Sequence, residues 1–392
     1  MRTGRYIVTL LTIFSKAKIS HFDISPLNIA RFKKFIIKNK INNIEIRVAD
    51  FDNYKFMKKK IFITGSEGFI GSHIVEKFLS LNYDVYALVL YNSFGNLGNL
   101  NFLPKKYLDK IKIIFGDLRD ENTYSKILRH VDYVVNLASL ISIPYSYSAN
   151  KSYFENNIIG SSNLFRTCID KKNIEKIIHF SSSEVYGTPK HLPIRESFAF
   201  NPQSPYAASK AAVDHIAKSF YYSYNIPITV LRPFNNFGPR QSRRAIIPEI
   251  IFQALISDKV YLGTTKTKRD FLFVEDTSEA VVKIINSKNE YFLKGGGEIN
   301  IGTGNLIKIE EVAFFIKKIL NKNFKIIVDK KRIRPKNSEV KYLQCDYSKL
   351  KKILKWKPKY NSKKNFYEAL EITINFYKKY FTSEKNNQIF FE

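Results

Sequence analysis

Tyr206 and Lys210 have the residue types and the spacing of a proton-transfer site. Residues four apart share one face of a helix, so the lysine ammonium can lie close to the tyrosine hydroxyl. A neighbouring positive charge favours the phenolate and lowers the pKa of the phenol from about 10 toward the operating pH. Pro205 directly precedes the tyrosine, as is typical of a helix start. We therefore predict that Tyr206 acts as a general base; the alternative is an ordinary tyrosine on a helix surface.

The segment Ser181-Ser182-Ser183-Glu184 adds a carboxylate to this chemistry. The hydroxyl of Ser182 would polarise the substrate oxygen on which Tyr206 acts, and Glu184 would serve as a second base. A solvated loop carboxylate is the alternative for Glu184, but its place directly after the serines of a strand end favours catalysis. For Ser183, a packing or backbone-bonding role explains the residue equally well.

Three glycines indicate the kind of cofactor that such a site uses. The stretch from Lys60 to Thr64 has the composition of a short buried strand, and Gly65, Gly68 and Gly71 follow it at the start of an apolar-periodic helix that runs from Phe69 to Leu81. Glycines let the backbone approach a pyrophosphate, and the helix N-terminus stabilises its charge. A simple strand-to-helix turn is the alternative, but the tyrosine-lysine pair downstream favours a dinucleotide site.

Strands and helices alternate from Lys58 onward, which predicts an α/β fold with a Rossmann-type, doubly wound parallel sheet. After Pro233 the pattern changes, and we predict a smaller C-terminal substrate-binding cap over the carboxyl edge of the sheet, where ligands of such folds bind. The predicted Rossmann domain is 57–238, and 239–381 is mainly the cap, with some segments that return to the Rossmann domain. The further predicted strands are 85–90, 111–115, 133–137, 176–180, 229–231 and, in the cap, 269–274.

Residues 1–56 precede this pattern as an N-terminal extension. The segments 19–25, 28–38 and 44–51 resemble the middle of a class I methyltransferase, in which Asp23 would hold the cofactor ribose and Asp50 would lie near the adenine. No glycine-rich loop precedes Asp23, so a pocket for S-adenosylmethionine cannot close. We interpret the extension as an incomplete and inactive fragment. At the other end, residues 382–392 are predicted to be a frayed tail.

The amino-acid composition limits the kinds of partner and compartment that we expect for this protein. The net charge of +29 comes from 64 Lys and Arg against 35 Asp and Glu, scattered along the whole chain. No nucleic-acid motif accompanies these charges, so we expect an anionic small molecule rather than nucleic acid as the partner. The longest apolar stretch near the start, from Tyr6 to Phe14, is far shorter than the ~20 residues that span a bilayer, and no membrane partner is expected. Cys168 and Cys345 lack metal-ligand spacing and indicate buried thiols in a reducing, cytoplasmic compartment; no metal is expected.

From Met57 to about Tyr380 the chain resembles the extended short-chain dehydrogenase/reductase family, which contains the nucleotide-sugar epimerases and dehydratases. The glycine pattern, the serine segment, Tyr206-x-x-x-Lys210 and Arg232-Pro233-Phe234-Asn235 carry this resemblance, together with Asp117-Leu118, Asn136-Leu137-Ala138 and Asn157. It implies a nucleotide-sugar substrate and a homodimer. It also implies catalysis by Ser182, Ser183, Glu184, Tyr206 and Lys210, and substrate binding by Asn157, Asn235, Arg240, Arg269 and Arg334. The implied cofactor-binding residues are Gly65, Gly68, Phe69, Ile70, Gly71, Asn92, Asp117, Leu118, Leu137, Ala138, Tyr206, Lys210 and Pro233.

The implied cofactor is NAD, with NADP as the alternative. A fold that binds NAD usually places an acidic residue for the ribose at the end of its second strand. Here Tyr91 and Asn92 follow that strand, and no arginine that would favour NADP stands there either.

More narrowly, segments 91–95, 143–147, 238–248 and 332–339 resemble the N-acetylhexosamine 4,6-dehydratases of the legionaminic acid pathway. Such enzymes convert a UDP- or GDP-linked N-acetylglucosamine to its 4-keto-6-deoxy derivative. Two departures stand out: Ser182 replaces the usual threonine, as in epimerases, and Ser183 stands in place of the Asp that would protonate the leaving hydroxyl. A UDP-sugar 4-epimerase, a UDP-glucuronate decarboxylase and a non-catalytic NAD-sensing protein of the same fold are the alternatives.

Overall fold

A computed structural model describes the strands at 6–12, 22–24 and 44–50, together with residues 58–335 and 337–381. The chain divides into two units, Met1–Lys58 and Lys59–Glu392. In the first unit, β1 (Tyr6–Thr12) pairs in antiparallel fashion with both β2 (Phe22–Ile24) and β3 (Ile44–Asp50). The helix predicted at 28–38 and the tail predicted at 382–392 lie outside the described residues.

The second unit is built on a seven-stranded parallel sheet, which confirms the predicted fold class. The strand order is β14-β9-β8-β7-β4-β5-β6. Most of the strands are largely apolar, as expected where helices cover both faces of a parallel sheet. Strand β14 was not predicted, because it is only four residues long and follows three glycines. The strands are β4 (Lys60–Thr64), β5 (Asp84–Leu90), β6 (Lys112–Gly116), β7 (Tyr133–Asn136), β8 (Lys176–Phe180), β9 (Ile228–Pro233) and β14 (Glu298–Ile301).

Helices connect and cover these strands. The longer ones are amphipathic, and the face that carries Ile74, Val75 and Phe78 in α1 is fully buried against the sheet. The helices are α1 (Phe69–Ser80), α2 (Lys105–Leu108), α3 (Ile143–Ser148), α4 (Asn150–Tyr153), α5 (Gly160–Cys168), α6 (Pro205–Tyr224), α7 (Ile246–Ile256), α8 (Val274–Asn286), α9 (Glu290–Lys294), α10 (Ile309–Leu320), α11 (Ser348–Leu354) and α12 (Lys363–Phe381). A π-helical segment, Phe154–Ile159, joins α4 to α5, and short 3-10 helices lie at Gly98–Phe102, Glu121–Thr123, Ile127–Arg129, Ser183–Tyr186 and Lys330–Arg332.

Short strand pairs make up much of the chain after Pro233. Strand β10 pairs with β13, β11 pairs with β16, and β12 lies between β15 and β17. The arginine of β12, Arg269, is thus held by a neighbouring strand on each side. The strands are β10 (Asn235–Phe237), β11 (Lys259–Leu262), β12 (Lys268–Arg269), β13 (Phe271–Phe273), β15 (Ile307–Lys308), β16 (Lys325–Val328) and β17 (Tyr342–Leu343).

Two large apolar clusters stabilise this unit. One lies between the parallel sheet and α1 and α8, and includes Phe78 and Trp356. The other packs α7, α10 and α12 around Phe237 and Phe273. Truncating a fully buried phenylalanine in such a cluster costs about 3 to 5 kcal/mol. Within the described part of the chain, no helix has both the length and the apolar character that crossing a membrane requires.

Candidate active site

Helix α6 presents the predicted tyrosine-lysine pair at its first turns. Ser204 caps the helix, since its hydroxyl accepts a 3.1 Å hydrogen bond from the Ala207 amide, and Pro205 occupies the first turn. Asn225 ends the helix in the left-handed conformation. Tyr206 and Lys210 lie on the buried face of α6, at 8% and 3% exposure. The cap thus fixes the start of α6, and with it the orientation of the phenol and the ammonium toward the sheet.

The carboxyl end of β8 brings the serine segment to this helix. Ser182 accepts a 3.2 Å hydrogen bond from the Glu184 amide and so caps the 3-10 helix Ser183–Tyr186. The Ser182 side chain also lies near enough to the hydroxyl of Tyr206 to influence its pKa. The side chain of Ser183 is buried. The structure therefore brings together Ser182 and Tyr206, which were predicted to act on one substrate oxygen.

Burial controls the protonation of the pair. It lowers the pKa of Lys210 from its ordinary value to about 8, and the charge of Asp214, one turn further along α6, opposes that shift. Burial raises the pKa of Tyr206, the nearby Ser182 side chain opposes that rise, and the negative charge of Glu184 adds to it. The expected lowering of the phenol pKa by Lys210 is therefore not seen in this structure. The ammonium instead donates to the Phe180 carbonyl at 2.6 Å and to the Ser139 hydroxyl at 3.3 Å.

A chain of alternating charges leads away from Glu184. Its carboxylate lies close enough to Arg269 to oppose, with its charge, the burial that lowers the pKa of that guanidinium. Arg269 is 6% exposed and pairs with Glu339 at 3.3 Å, and Glu339 faces Arg334 at 3.9 Å. One nitrogen of Arg334, Nη1, is buried without a hydrogen-bond partner. Two predicted anion-binding arginines thus share one carboxylate beside the catalytic residues.

Arg334 also lines a cavity of about 680 Å³, a size that suits a nucleotide. The cavity holds many cationic groups, and Glu249 forms ion pairs with two of them, Arg243 at 3.4 Å and Arg332 at 2.8 Å. Tyr206 and Glu184 are not among its lining residues, so the cavity is a neighbouring chamber rather than the reaction centre. Its lining is Pro144, Tyr147, Ser242, Arg243, Arg244, Ala245, Ile246, Glu249, Leu262, Gly263, Lys331, Arg332, Ile333, Arg334 and Pro335.

The glycine turn joins β4 to α1 with no space for side chains. Gly65 has φ +64°, and a Cβ there would lie 2.8 Å from the Ala138 amide nitrogen. A Cβ on Gly71 would lie 2.1 Å from the Gly65 carbonyl oxygen. Gly68 caps α1, whose first turn carries no acidic residue. This close packing leaves backbone amides of the helix N-terminus open to an anion, as a dinucleotide site requires.

A polar network holds the next strand end beside that turn. Thr64 donates to the side-chain oxygen of Asn136 at 2.7 Å, and its own hydroxyl oxygen accepts from the amides of Leu137 and Ala138 at 3.1 Å. Asn136 in turn donates toward His179 at 3.1 Å. Burial lowers the pKa of His179, so the ring is a neutral partner in the network. Both predicted cofactor residues, Leu137 and Ala138, are therefore fixed by the strand that starts the glycine turn.

The sequence profile described as GDP-mannose 4,6 dehydratase matches residues 62–368. The chain belongs to this dehydratase family. A dTDP-D-glucose 4,6-dehydratase of Dictyostelium discoideum is 33% identical over 67% of this chain and 62% of its own length.

Solved structures of dehydratases and epimerases share the fold of this family member. The dTDP-glucose 4,6-dehydratase of Streptomyces venezuelae with NAD bound is 25% identical, with a TM-score of 0.72, and the match covers 82% of this chain and 97% of that one. A UDP-N-acetylglucosamine 4-epimerase of Methanobrevibacter ruminantium, in complex with UDP-N-acetylmuramic acid, is 33% identical, with a TM-score of 0.71 over 82% of this chain and 99% of that one. Both reaction types therefore occur among the relatives.

Three of the predicted contact residues of this family member are engaged with protein groups. The Asn92 amide closes its own loop, since it accepts from the Asn96 amide and donates to the Asn96 and Leu90 carbonyls. Asn157 binds both backbone groups of Leu140 and the Ser209 hydroxyl, so it positions the chain around α6. Arg240 pairs with Glu76 on α1 at 2.5 Å.

Other predicted residues lie at the carboxyl edge of the sheet. Asp117 follows β6, and Arg119 beside it holds the pKa of that carboxyl below its ordinary value. Pro233 ends β9, and Asn235 begins β10 with a buried side-chain oxygen that has no hydrogen-bond partner. Phe69 and Ile70 open α1, and Leu118 packs in the core. The predictions did not assign Arg243, Arg332 and Glu249 to the cavity or Glu339 between the two arginines, because these contacts join segments far apart in sequence.

Proposed function

We propose that this protein is an NAD-dependent nucleotide-sugar 4,6-dehydratase, which converts a UDP- or GDP-linked N-acetylglucosamine to its 4-keto-6-deoxy product. The reaction oxidises the C4 alcohol to a ketone, removes a proton from C5 and expels the C6 hydroxyl as water. Hydride addition at C6 and protonation at C5 then complete the 6-deoxy product. The net change is the loss of one water, which classes the enzyme as a hydro-lyase.

The observation that carries the proposal is the position of Glu184. Its carboxylate is near enough to Tyr206 for its charge to influence the phenol pKa, and Arg269 lies on its other side. A 4-epimerase needs only the oxidation and reduction at C4, whereas a dehydratase also needs a base for the C5 proton. Glu184 supplies a base at the reaction centre in addition to the phenol.

Each of the chain's catalytic groups has one task in this proposal. Tyr206 accepts the proton of the C4 hydroxyl, and Ser182, which lies near the phenol, polarises the same oxygen. The new ketone acidifies the C5 proton, which Glu184 removes. That proton, carried by Glu184 or by a water, then leaves with the C6 hydroxyl, because Ser183 offers no acid there.

NAD, when bound, supplies the chemistry of hydride acceptance and return. The solved relative from Streptomyces venezuelae holds NAD, and the glycine turn of this chain has the open backbone amides that such a pyrophosphate needs. Gly65, Gly68 and Gly71 would hold the pyrophosphate, and Leu137 and Ala138 lie directly beside that turn. Lys210 reaches the carboxyl end of β8 and would bind the nicotinamide ribose.

The substrate diphosphate would bind between the catalytic residues and the cavity. Arg269 and Arg334 are held there by one carboxylate, and guanidinium groups bind phosphate oxygens in pairs. The nucleotide would then fill the cationic cavity of about 680 Å³. The resemblance of segments 238–248 and 332–339 to legionaminic-pathway dehydratases supports an N-acetylhexosamine and a role in surface nonulosonic sugar biosynthesis. As in that family, we propose a homodimer.

A 4-epimerase is the second candidate. The solved 4-epimerase that is 33% identical favours it, and so does serine rather than threonine at position 182. The two candidates differ in one measurable product, because an epimerase leaves the substrate mass unchanged.

A panel of UDP- and GDP-linked hexoses and N-acetylhexosamines, incubated with purified enzyme and NAD, tests the proposal. Mass spectrometry should detect loss of one water from an N-acetylglucosamine nucleotide. Glu184→Gln should abolish water loss while the bound nicotinamide is still partly reduced on substrate addition, which absorbance detects. Glu175→Gln, which alters an exposed carboxylate paired with Lys59, is the matched control. Epimerised product without water loss, or wild-type water loss in Glu184→Gln, would contradict the assignment.

A further inference from the structure

Glu67 is an acidic residue inside the glycine turn, and the catalytic scheme does not use it. It stands between Gly65 and Gly68, one residue before the cap of α1. Its Oε1 accepts a 3.0 Å hydrogen bond from the amide of Leu90, the last residue of β5. Its Oε2 is buried and has no hydrogen-bond partner. The side chain thus bridges the glycine turn to the end of β5 and leaves one carboxylate oxygen unsatisfied there.

The end of β5 is where a dinucleotide fold binds the adenosine ribose. An acidic residue about 20 positions after the glycine turn commonly binds the ribose hydroxyls in enzymes that use NAD. Here Tyr91 and Asn92 follow the strand, and the Asn92 amide is committed to its own loop through Asn96 and Leu90. The residue at the expected position is therefore not an acid and not free to replace one.

We propose that Glu67 binds the adenosine ribose hydroxyls of NAD from the glycine turn, and that it thereby selects NAD over NADP. This inference rests on the proposed function, because it requires a nicotinamide dinucleotide in the site. A carboxylate oxygen without a partner is an acceptor for a hydroxyl donor, and its burial makes an unmet hydrogen bond costly. A 2′-phosphate at the same place would bring like charges together without water between them.

The surrounding backbone holds Glu67 in this position. Its carbonyl oxygen accepts a 2.9 Å hydrogen bond from the Asn99 amide, and a Cβ on Gly98 would lie 3.0 Å from the Glu67 Cβ. Gly98 has φ +53°, which favours glycine, so the loop can pass this close. Burial also raises the pKa of Glu67, and the Leu90 amide opposes that rise. The carboxylate is therefore held beside the strand end before any ligand arrives.

The Arg119 guanidinium is a further charged group on this side of the sheet. Arg119 follows β6, the strand next to β5, and it forms a fork with Asp117 at 2.6 Å. An arginine that is already paired with a carboxylate binds a 2′-phosphate less strongly than an unpaired arginine would. This pairing also favours NAD.

Calorimetric titration with NAD, NADP and 2′-deoxy-NAD tests the inference without any turnover. Wild-type protein should prefer NAD to NADP, and loss of the 2′-hydroxyl should weaken its binding about tenfold, as expected for a hydrogen bond to a charged group. In Glu67→Ala, NAD should bind about tenfold more weakly, and NAD and 2′-deoxy-NAD should bind alike. Glu67→Gln keeps an oxygen for the Leu90 amide but loses the charge, so its preference for NAD over NADP should fall. Asp84→Ala removes an acid from the opposite end of β5, where it pairs with Lys112, and should behave as wild type.

The outcomes separate this inference from the function on which it rests. If wild-type protein binds neither NAD nor NADP, the proposed function fails. If wild-type protein binds NAD but Glu67→Ala keeps both the affinity and the preference, Glu67 serves only to join the turn to β5 and the inference is overturned. If neither variant folds, equal binding of NAD and 2′-deoxy-NAD by the wild type overturns it, and a clear loss with the deoxy compound supports it.

Discussion

Lys210 Nζ donates a 2.6 Å hydrogen bond to the carbonyl oxygen of Phe180 and so ties α6 to the last residue of β8. Ser182 and Glu184 lie within four residues after Phe180, while Tyr206 stands one turn before Lys210 on the helix. One buried contact therefore sets the distance between the two halves of the catalytic centre. The lysine orients this centre in addition to carrying a charge.

Replacing Tyr206 with phenylalanine should stop the reaction before any hydride moves. In the proposed mechanism the phenol accepts the C4 hydroxyl proton, and loss of a positioned general base costs about 100-fold or more. Stopped-flow absorbance of the nicotinamide measures this rate, and calorimetry should show nearly unchanged affinity for the nucleotide sugar. Tyr222→Phe, on the same helix but 69% exposed, is the control. A wild-type rate of cofactor reduction in Tyr206→Phe would make Tyr206 a packing residue.

Lys210 should give the protein a distinctive stability profile at alkaline pH. Burial lowers its folded-state pKa to about 8, whereas the unfolded chain holds this proton up to its ordinary value of 10.5. Between these two values the unfolded state binds more protons, so this group makes the free energy of unfolding rise with pH. Each pKa unit corresponds to about 1.4 kcal/mol.

Urea denaturation of the wild type and of Lys210→Met at several pH values between 7 and 10 measures how the free energy of unfolding of each protein changes with pH. Below the folded pKa the difference between the two proteins should be constant, and above it the wild type should gain relative to the variant. The methionine variant also loses two hydrogen bonds, so the change of the difference with pH, rather than its size, is the decisive quantity. A difference that stays flat or falls over this range would contradict the prediction.

Asp214→Asn should strongly destabilise the fold. Asp214 pairs with Arg232 at 2.8 Å, and both side chains are nearly inaccessible to solvent, at 2% and 6% exposure. Removing one partner of a buried pair leaves the other charge uncompensated, which costs about 3 to 5 kcal/mol. Glu121→Gln is the control: it breaks an exposed pair with Arg166 at 2.7 Å, worth at most about 1 kcal/mol. Chemical denaturation checks both values, and equal losses in the two variants would refute the argument.

Deletion of residues 1–56 should leave folding and catalysis intact. The motivating observation is that Lys59–Glu392 forms a compact unit of its own, whose first strand begins at Lys60. Soluble expression, thermal unfolding and turnover of the shortened chain can be compared with those of the full chain. A deletion that extends through Thr64 removes the central strand β4 and should abolish folding. Insoluble protein from the shorter deletion would show that the extension is part of the folded unit.

Local patterns in the sequence predicted the parts of the structure that depend on neighbouring residues. The glycine turn, six strands of the parallel sheet and the common buried face of Tyr206 and Lys210 follow from spacings of a few residues, and the structure agrees with them. Strand β14 was missed because it is only four residues long and two of these, Glu298 and Asn300, are polar. Burial raises the pKa of Tyr206, and burial depends on the tertiary fold rather than on residue spacing.

The remaining site contacts depend on the tertiary fold. No sequence pattern shows that Glu339 lies between Arg269 and Arg334, or that the Asn92 amide is committed to its own loop. The sequence gives only a weak indication of a role for Glu67. It is an acidic residue in the glycine turn, whereas no acidic residue directly follows the end of β5. Its significance depends on the contact with Leu90, which joins two different elements.

Strand β12 is paired with β17, and Arg269 stands opposite Leu343 in that ladder. The loop that carries Arg334 and Glu339 leads directly into β17, so a contact formed late in the chain completes the proposed anion site. A nascent chain that already contains every strand of the parallel sheet therefore cannot yet bind the substrate through this site. Nascent or prematurely terminated chains that contain the glycine turn but lack β17 would lack the proposed anion site. On this proposal, only chains that extend through β17 bind the substrate.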